Sequence, residues 1–285
     1  MQPNVPHSAD VQAGGASVAA LWRYPVKSML GEELNAAEVT IRGLLGDRQF
    51  AVVDAATGKV AGAKNPRKWG NFLDFRATYV EPPRPGAQLP AVRLTLPDGT
   101  TVSSGQADLP QILSAALGRD VTFAEARQAG ESPGATAEEY WPDVADLDRR
   151  DTVTDFDLPA GTFFDCAVVH LLTTATMDRL RALYPLGRFE VRRFRPNIVV
   201  ATEADEQGFA EDDWIGHTIA IGDRARLLVT GPCARCVMTT LPQGDLPKDS
   251  GILPTAAQHH HVNAGVHAEV TAGGPVRRGD PVQLG

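Results

Sequence analysis

The chain has 285 residues, 43% of them hydrophobic and 22% charged, a balance that supports a sizeable buried core and excludes wholesale disorder. At about 150 residues per domain this length predicts two domains, or one large one with excursions. A net charge of -8 repels a phosphate backbone, so no nucleic-acid polymer is expected as partner, and no stretch approaches the roughly 18 continuous apolar residues of a membrane span.

Residues 1–16 carry neither a basic nor an apolar signal region and read as a flexible tail. Residues 18–24 predict a strand, because Ala, Leu, Trp and Tyr gather there before Pro25 removes a backbone donor. The chain then turns through PVKSMLG. Residues 38–41 and 49–53 are further strand candidates, and DAATGK at 54–59 supplies a turn that folds the second of them onto Val60. In VRLTLPDGTTVSS, Val92, Leu94 and Leu96 alternate with polar residues, Asp98-Gly99 turns, and 101–103 returns. One helix is expected between a cap at Asp108 and a stop at Gly118, with Ile112, Leu113 and Ala116 on its buried stripe.

Residues 126–151 shift to Gly, Pro and acid with weak periodicity, and a linker is expected at 131–149. Beyond it, 167–172 is an apolar run of strand length, Thr173 and Thr174 can cap a helix, and Met177, Leu180 and Tyr184 form a core stripe that Pro185 and Gly187 end. FRPNIVV, WIGHTIAIGDRARLLV and GVHAEVTAGGPVRRGDPVQL then read as strands and turns. Helices are too few for a doubly wound parallel sheet. A mainly β architecture with a few packed helices, barrel-like and of the α+β class, is expected.

The chemistry concentrates in GPCARCVMTT, residues 231–240, where Cys233 and Cys236 flank Arg235. A guanidinium beside a thiol favours the thiolate, the nucleophilic and metal-binding form. Three plainer readings stay open: a structural zinc site, a redox dithiol, and two inert buried thiols. Zinc wants four ligands, and the triplet His259, His260 and His261 lies outside the usual spacing, where it reads as a polar loop without a catalytic role. A redox pair lacks its βαβ context. Together with Cys166 the cysteines number three, an odd count that argues against a secreted disulfide scaffold and for a reducing, cytoplasmic compartment.

Cations form the second signal. Lys27 follows Pro25, Arg48 follows Gly46-Asp47, and Arg192, Arg193 and Arg195 cluster before Pro196. In an acidic protein such a patch suits a small anionic ligand held by point charge or bidentate hydrogen bonds. The fingerprints of dinucleotide, triphosphate, zincin and α/β-hydrolase sites are missing from the sequence.

LWRYPVKSMLG, GDRQFAVVD, FRPNIVV, EDDW and PCARCVMTT, in that order, resemble the MOSC proteins, named for the C-terminal domain of molybdenum cofactor sulfurase. The closest resemblance is to the two-domain branch that includes the mitochondrial amidoxime-reducing component and bacterial relatives. It implies a MOSC N-terminal β-barrel-like domain at 17–130 and a MOSC domain at 150–284. It also implies a molybdenum cofactor (Mo-molybdopterin) between them, with Cys236 as the metal ligand, a soft thiolate completing a sphere begun by dithiolene sulfurs. Lys27, Ser28 and Arg48 match cofactor-holding positions of the first domain, and Thr173, Thr174, Arg195, Asn197 and Arg235 those of the second. The implied reaction is reduction of a small N-hydroxylated substrate to the parent amine, with Asp213 as candidate proton source. Three cysteines cannot supply the four of a plant-type iron–sulfur cluster, so a separate electron-donor protein (ferredoxin, flavoreductase or b-type cytochrome) is expected. The alternative from another class is a non-reductive sulfur carrier with a persulfide on Cys236. After the cysteines, LPQGDLPKDSGILPTAAQHHH departs from the family's short acidic turn, and substrate preference does not carry across it.

Overall fold

The computed structural model describes residues 15–126, 135–145, 147–203 and 206–285. Residues 1–14 of the expected tail and 131–134 of the expected linker lie outside the described residues. Strands dominate and the helices are short, which is the expected α+β class. The reason is local: along Ala225–Ala234, for example, Leu227 and Val229 are buried and their neighbours are not, the period of two that builds a sheet rather than a helix.

An eight-stranded sheet runs in the order Val282–Leu284, Thr218–Ile221, Ala225–Ala234, Asn263–Ala272, Val169–Thr173, Ile198–Ala201, Ser17–Arg23 and Glu32–Leu34. Its last two members come from the start of the chain. Ser17–Arg23 pairs antiparallel with Ile198–Ala201, Leu21 opposite Ile198, and both side chains enter one core with Leu171, Leu227 and Val266. The exchange is mutual. Val237, Met238 and Leu241 of the second half are buried in the first-half core with Val26, Met29 and Phe50. The two halves are therefore threaded through each other, and the segment that follows Cys236 is anchored in the opposite core.

In the first half, Arg76–Tyr79, Val92–Thr95 and Thr101–Ser103 form a meander, and the Asp98-Gly99 turn sets Leu94 opposite Val102. The helix Leu109–Leu117 ends at Gly118 in the left-handed region, but Asp108 makes no capping hydrogen bond. The DAATGK turn closes a single bridge, Val53 to Val60; the main partner of Phe50–Asp54 is Val121–Glu125, where Phe50 and Phe123 stack with centroids 5.4 Å apart. Aromatic pairing across that ladder outweighs the local hairpin.

Two expectations are corrected. Within 131–149, Thr136–Trp141 is a strand, paired along its whole length with Thr152–Asp157. Its acids are counter-charges rather than linker: Glu138 meets Lys59 and Lys68, and Glu139 meets Lys64. The histidine triplet is likewise no loop, since His259 and His260 end the helix Ile252–His260. His260 stacks on Phe209 at 3.6 Å and lies 2.6 Å from Asp212 and 3.0 Å from the Asn263 carbonyl, so packing holds it in place.

Gly265 occupies the left-handed region (φ 82), where a Cβ would collide with the His170 ring and the Leu171 carbonyl. Gly279 has a similar φ of 85 with open space around it. Gly265→Ala is expected to cost at least about 2 kcal/mol in urea unfolding, and Gly279→Ala only about 1 kcal/mol. Equal costs would show that backbone strain alone, and not the close approach to His170, sets the requirement.

Candidate functional site

Where the halves interlock, their strand ends line a partly open cavity of about 120 Å³. Lys27, Ser28, Arg48, Arg195, Asn197, Arg235 and Cys236 all line it. Three of these adopt left-handed backbone, Ser28 (φ 65), Arg48 (φ 47) and Arg195 (φ 54), a conformation that costs an L residue about 1–3 kcal/mol and persists only where surroundings enforce it. The surroundings are visible: the Arg48 N–H donates to the Tyr24 carbonyl (2.8 Å), the Phe50 N–H to Pro25 (3.0 Å) and the Lys27 N–H to Phe50 (2.8 Å). YPVKS and GDRQF are thereby zipped into one unit that aims three side chains at the seam.

Two residues that the sequence reading passed over organise those side chains. The Tyr24 ring, 2% exposed, has the Arg48 guanidinium 4.4 Å and the Arg195 guanidinium 4.2 Å from its centroid, close enough for cation–π attraction to both. Asp47 sits beside it. Its carboxylate accepts the Tyr24 N–H (2.7 Å), the Asn197 side-chain amide (2.9 Å) and Nη1 of Arg48. Burial pushes the Tyr24 hydroxyl up to about 12, the two arginines pulling it back. Burial also lowers Arg195 to about 10, so its guanidinium stays charged at neutral pH.

Asn197 is spent within the protein. Its Oδ1 accepts the His170 N–H (3.1 Å) and its Nδ2 donates to Asp47 and to the Trp22 carbonyl, so it fixes the seam more than it offers atoms to a ligand. Opposite stands an ion cluster that only the structure reveals. Asp165 pairs with Lys27 and, at 3.4 Å, with Lys64, which also meets Glu139 at 3.5 Å. Burial would raise the Asp165 carboxyl, but the two ammonium groups outweigh it and hold it well below the usual carboxylate range.

All three cysteines line this cavity, with His170 and His267. Nη1 of Arg235 donates to Sγ of Cys233, and Nη2 to the Phe194 carbonyl at 2.7 Å. For Cys233, burial raises the thiol, yet Arg235 and His170 overcome it and hold the pKa at about 7. For Cys236, burial prevails over Lys64 and the pKa goes up. The guanidinium that the sequence places between the two thus serves the first cysteine. Burial, with Arg235, lowers His267 to about 4, leaving a neutral imidazole at physiological pH. Among the described residues no group of three or more His, Cys, Asp or Glu side chains is arranged to hold a metal ion.

Several candidates are not brought to the cavity. Thr173 caps the helix Thr174–Leu183 by accepting the Thr176 N–H, and gives its own proton to Glu211 (2.5 Å); Thr174 is 3.3 Å from the Thr202 hydroxyl. Neither lines the cavity, because capping consumes the one and a neighbouring hydroxyl the other. Asp213 is exposed on the turn Ala210–Trp214 and is absent from the cavity wall. The EDDW segment is a packing device: Glu211 is inaccessible and takes hydroxyl protons from Thr173 and Thr176, while Asp212 meets His260. The arginine cluster also divides. Arg192 faces Glu190 and Asp245, and Arg193 spends its donors on the carbonyls of Arg188, Thr239, Leu241 and Pro247. Arg193 and Arg195 both line the cavity, but Arg193 has its donors spent, whereas Arg195 has one donor on the Met29 carbonyl at 2.8 Å.

Comparison with known proteins matches residues 15–134 to the family model of the MOSC N-terminal beta barrel domain and residues 159–283 to that of the MOSC domain. The chain is 23% identical over 252 residues to mitochondrial amidoxime reducing component 2 of Rattus norvegicus, covering 83% of this chain and 68% of that one. It is 25% identical over 244 residues to the protein of the same name from Bos taurus, covering 79% and 66%. The chain therefore spans about two thirds of the length of these relatives. Among solved structures, the YUAD protein from Bacillus subtilis aligns over 94% of each chain with a TM-score of 0.45 and 13% identity. No helix among the described residues is long and apolar enough to cross a membrane.

The depressed pKa of Asp165 fixes the sign of an acid effect. Its contribution to stability is complete above the ordinary carboxylate value near 4 and is lost as pH falls towards the lower folded-state value. Asp165→Asn is expected to lower the urea midpoint at neutral pH, and the gap to the wild type should narrow on acidification below about pH 4. A gap that stays constant into acid would show that Asp165 contributes no ionised pair.

Proposed function

Because the chain belongs to the MOSC domain family, with that family's two domains in order, we propose that it binds a molybdenum cofactor at the seam and reduces N-hydroxylated compounds to the parent amines. The observation that carries this reading is the meeting of soft thiols with a rigid cationic wall in one cavity, where the buried Nε of Arg235 has no partner among the described residues. An anionic pterin group suits these donors. Lys27, Arg48, Arg195 and Arg235 supply charge and hydrogen bonds for phosphate and ring acceptors, and Gly62, where a Cβ would come within 3.0 Å of Ser28 Oγ, keeps the Ser28 corner open. Cys236 is the metal ligand of this reading. It follows the strand Ala225–Ala234 and precedes the turn Val237–Thr240, whose anchorage in the first-half core fixes the thiol against the seam.

Reduction of R–NHOH takes up two electrons and two protons, breaks the N–O bond and releases R–NH2 and water. When bound, the cofactor supplies the two-electron couple that side chains lack. The chain's own groups orient. Asp165, held ionised, accepts a hydrogen bond from the N–OH or N–H of the substrate, and Lys64 and Lys27 keep it in place. Phe163 and Phe164, both largely buried at the cavity wall, limit the water around it. Asp213 has no place in this scheme. Electrons arrive from a separate donor protein at the cavity mouth, and the cytoplasm, where three free cysteines persist as thiols, is the proposed compartment. A persulfide carrier on Cys236 is the weaker alternative, since such a carrier leaves the paired arginines around Tyr24 without a purpose.

Protein from a host that makes the cofactor is expected to carry molybdenum near one atom per chain by elemental mass spectrometry, and to reduce an amidoxime with a chemical reductant. Cys236→Ser should lose the metal and lower turnover by at least about a hundredfold, while Cys233→Ser, equally folded, should lose far less. Equal losses in both variants, or none, would remove the ligand assignment.

A further inference from the structure

The two cysteines of C-A-R-C have different surroundings, and the difference centres on the arginine between them. Two of the three nitrogens of Arg235 are committed, Nη1 to Cys233 Sγ and Nη2 to the Phe194 carbonyl. The third, Nε, is buried and without a partner among the described residues. A guanidinium is planar and its N–H bonds are fixed in that plane, so holding both terminal nitrogens fixes where the Nε–H points. Cys233 is itself immobilised. It is 4% exposed at the end of a sheet strand, and the His170 ring lines the same cavity. His170 Nε2 lies 3.2 Å from the Ala264 carbonyl and so must donate to it, and Gly265 leaves room for the ring.

We infer that Cys233 is a positioning residue, a sulfur anchor that holds the Arg235 guanidinium so that its Nε–H stays a fixed, unpaired donor for an acceptor atom of the cofactor. The inference rests on the cofactor reading proposed above. It divides C-x-x-C into an anchor and a ligand, in place of a redox dithiol or a pair of ligands on one metal. The chemistry favours this division, because a thiolate is a compact anion that a buried guanidinium stabilises, whereas removing it leaves a buried N–H without an acceptor.

Two measurements on the full chain test this. The first needs no cofactor: the ultraviolet thiolate absorbance at neutral pH, taken as wild type minus Cys233→Ser, is expected to fall several-fold when Arg235 is replaced by Gln in both proteins. An undiminished difference overturns the pairing. The second follows pterin released during dialysis of the loaded protein. Cys233→Ala should lose it about tenfold faster than the wild type, and Cys233→Asp, which returns an anion to Arg235, should recover most of that loss. Wild-type retention in Cys233→Ala overturns the inference, as does equal loss in the Ala and Asp variants with both folded by circular dichroism. A wild type that shows the thiolate but never carries pterin overturns the cofactor reading instead, and with it the purpose assigned to Nε.

Discussion

Asp47 accepts hydrogen bonds from three groups that belong to different parts of the chain: the Tyr24 backbone, the Asn197 amide and the Arg48 guanidinium. It is 1% exposed, so its charge has little solvent to fall back on and depends on these partners. Through Tyr24 it fixes the ring that two guanidinium groups flank, and through Asn197 it ties the strand Ile198–Ala201 to the first-half turn. Two arginines at such proximity repel, and the ring face and the carboxylate offset that repulsion without neutralising the cavity. What remains is a positive wall with its direction set by the fold.

The threading of the halves explains why the site lies where it does. Ser17–Arg23 completes the second-half sheet while Val237 and Met238 complete the first-half core. Cys236, just before that turn, is held by hydrophobic burial on the side opposite to its origin, while Lys27 and Ser28 lie between Val26 and Met29 of the first-half core, one step beyond the strand that crosses over. A side chain fixed in this way keeps its position without help from a ligand, which is what preorganisation of a binding site requires. The left-handed residues Ser28, Arg48 and Arg195 add strain that only this interlocking can sustain.

Much of this was legible in the sequence where the signal is local. The Asp98-Gly99 hairpin, the Gly118 stop, the Thr173 cap and the cation-rich corners at 27–28, 48 and 195 all follow from turn chemistry and spacing. What escaped depends on distant partners. Thr136–Trp141 reads as linker because Glu138 and Glu139 conceal its strand character until Lys59, Lys64 and Lys68 are seen beside it. The final helix is hidden by Pro254 in its first turn and by three histidines of modest helix propensity. Asp165 and Lys64 have no motif at all. The sequence also could not say which cysteine Arg235 serves, since it neighbours both; strand geometry decides for Cys233. Asp213, Thr173 and Thr174 were carried over with family motifs, and here their surroundings turn them to solvent or to packing.

The central claim is that the seam cavity holds the cofactor's metal on Cys236. Anomalous diffraction at the molybdenum edge from crystals of the loaded protein tests it most directly. The account predicts a single strong peak in the cavity within bonding distance of Cys236 Sγ, with Arg48 and Arg195 still flanking Tyr24. A peak elsewhere, at Cys233 or beside the histidines of the last helix, would contradict it.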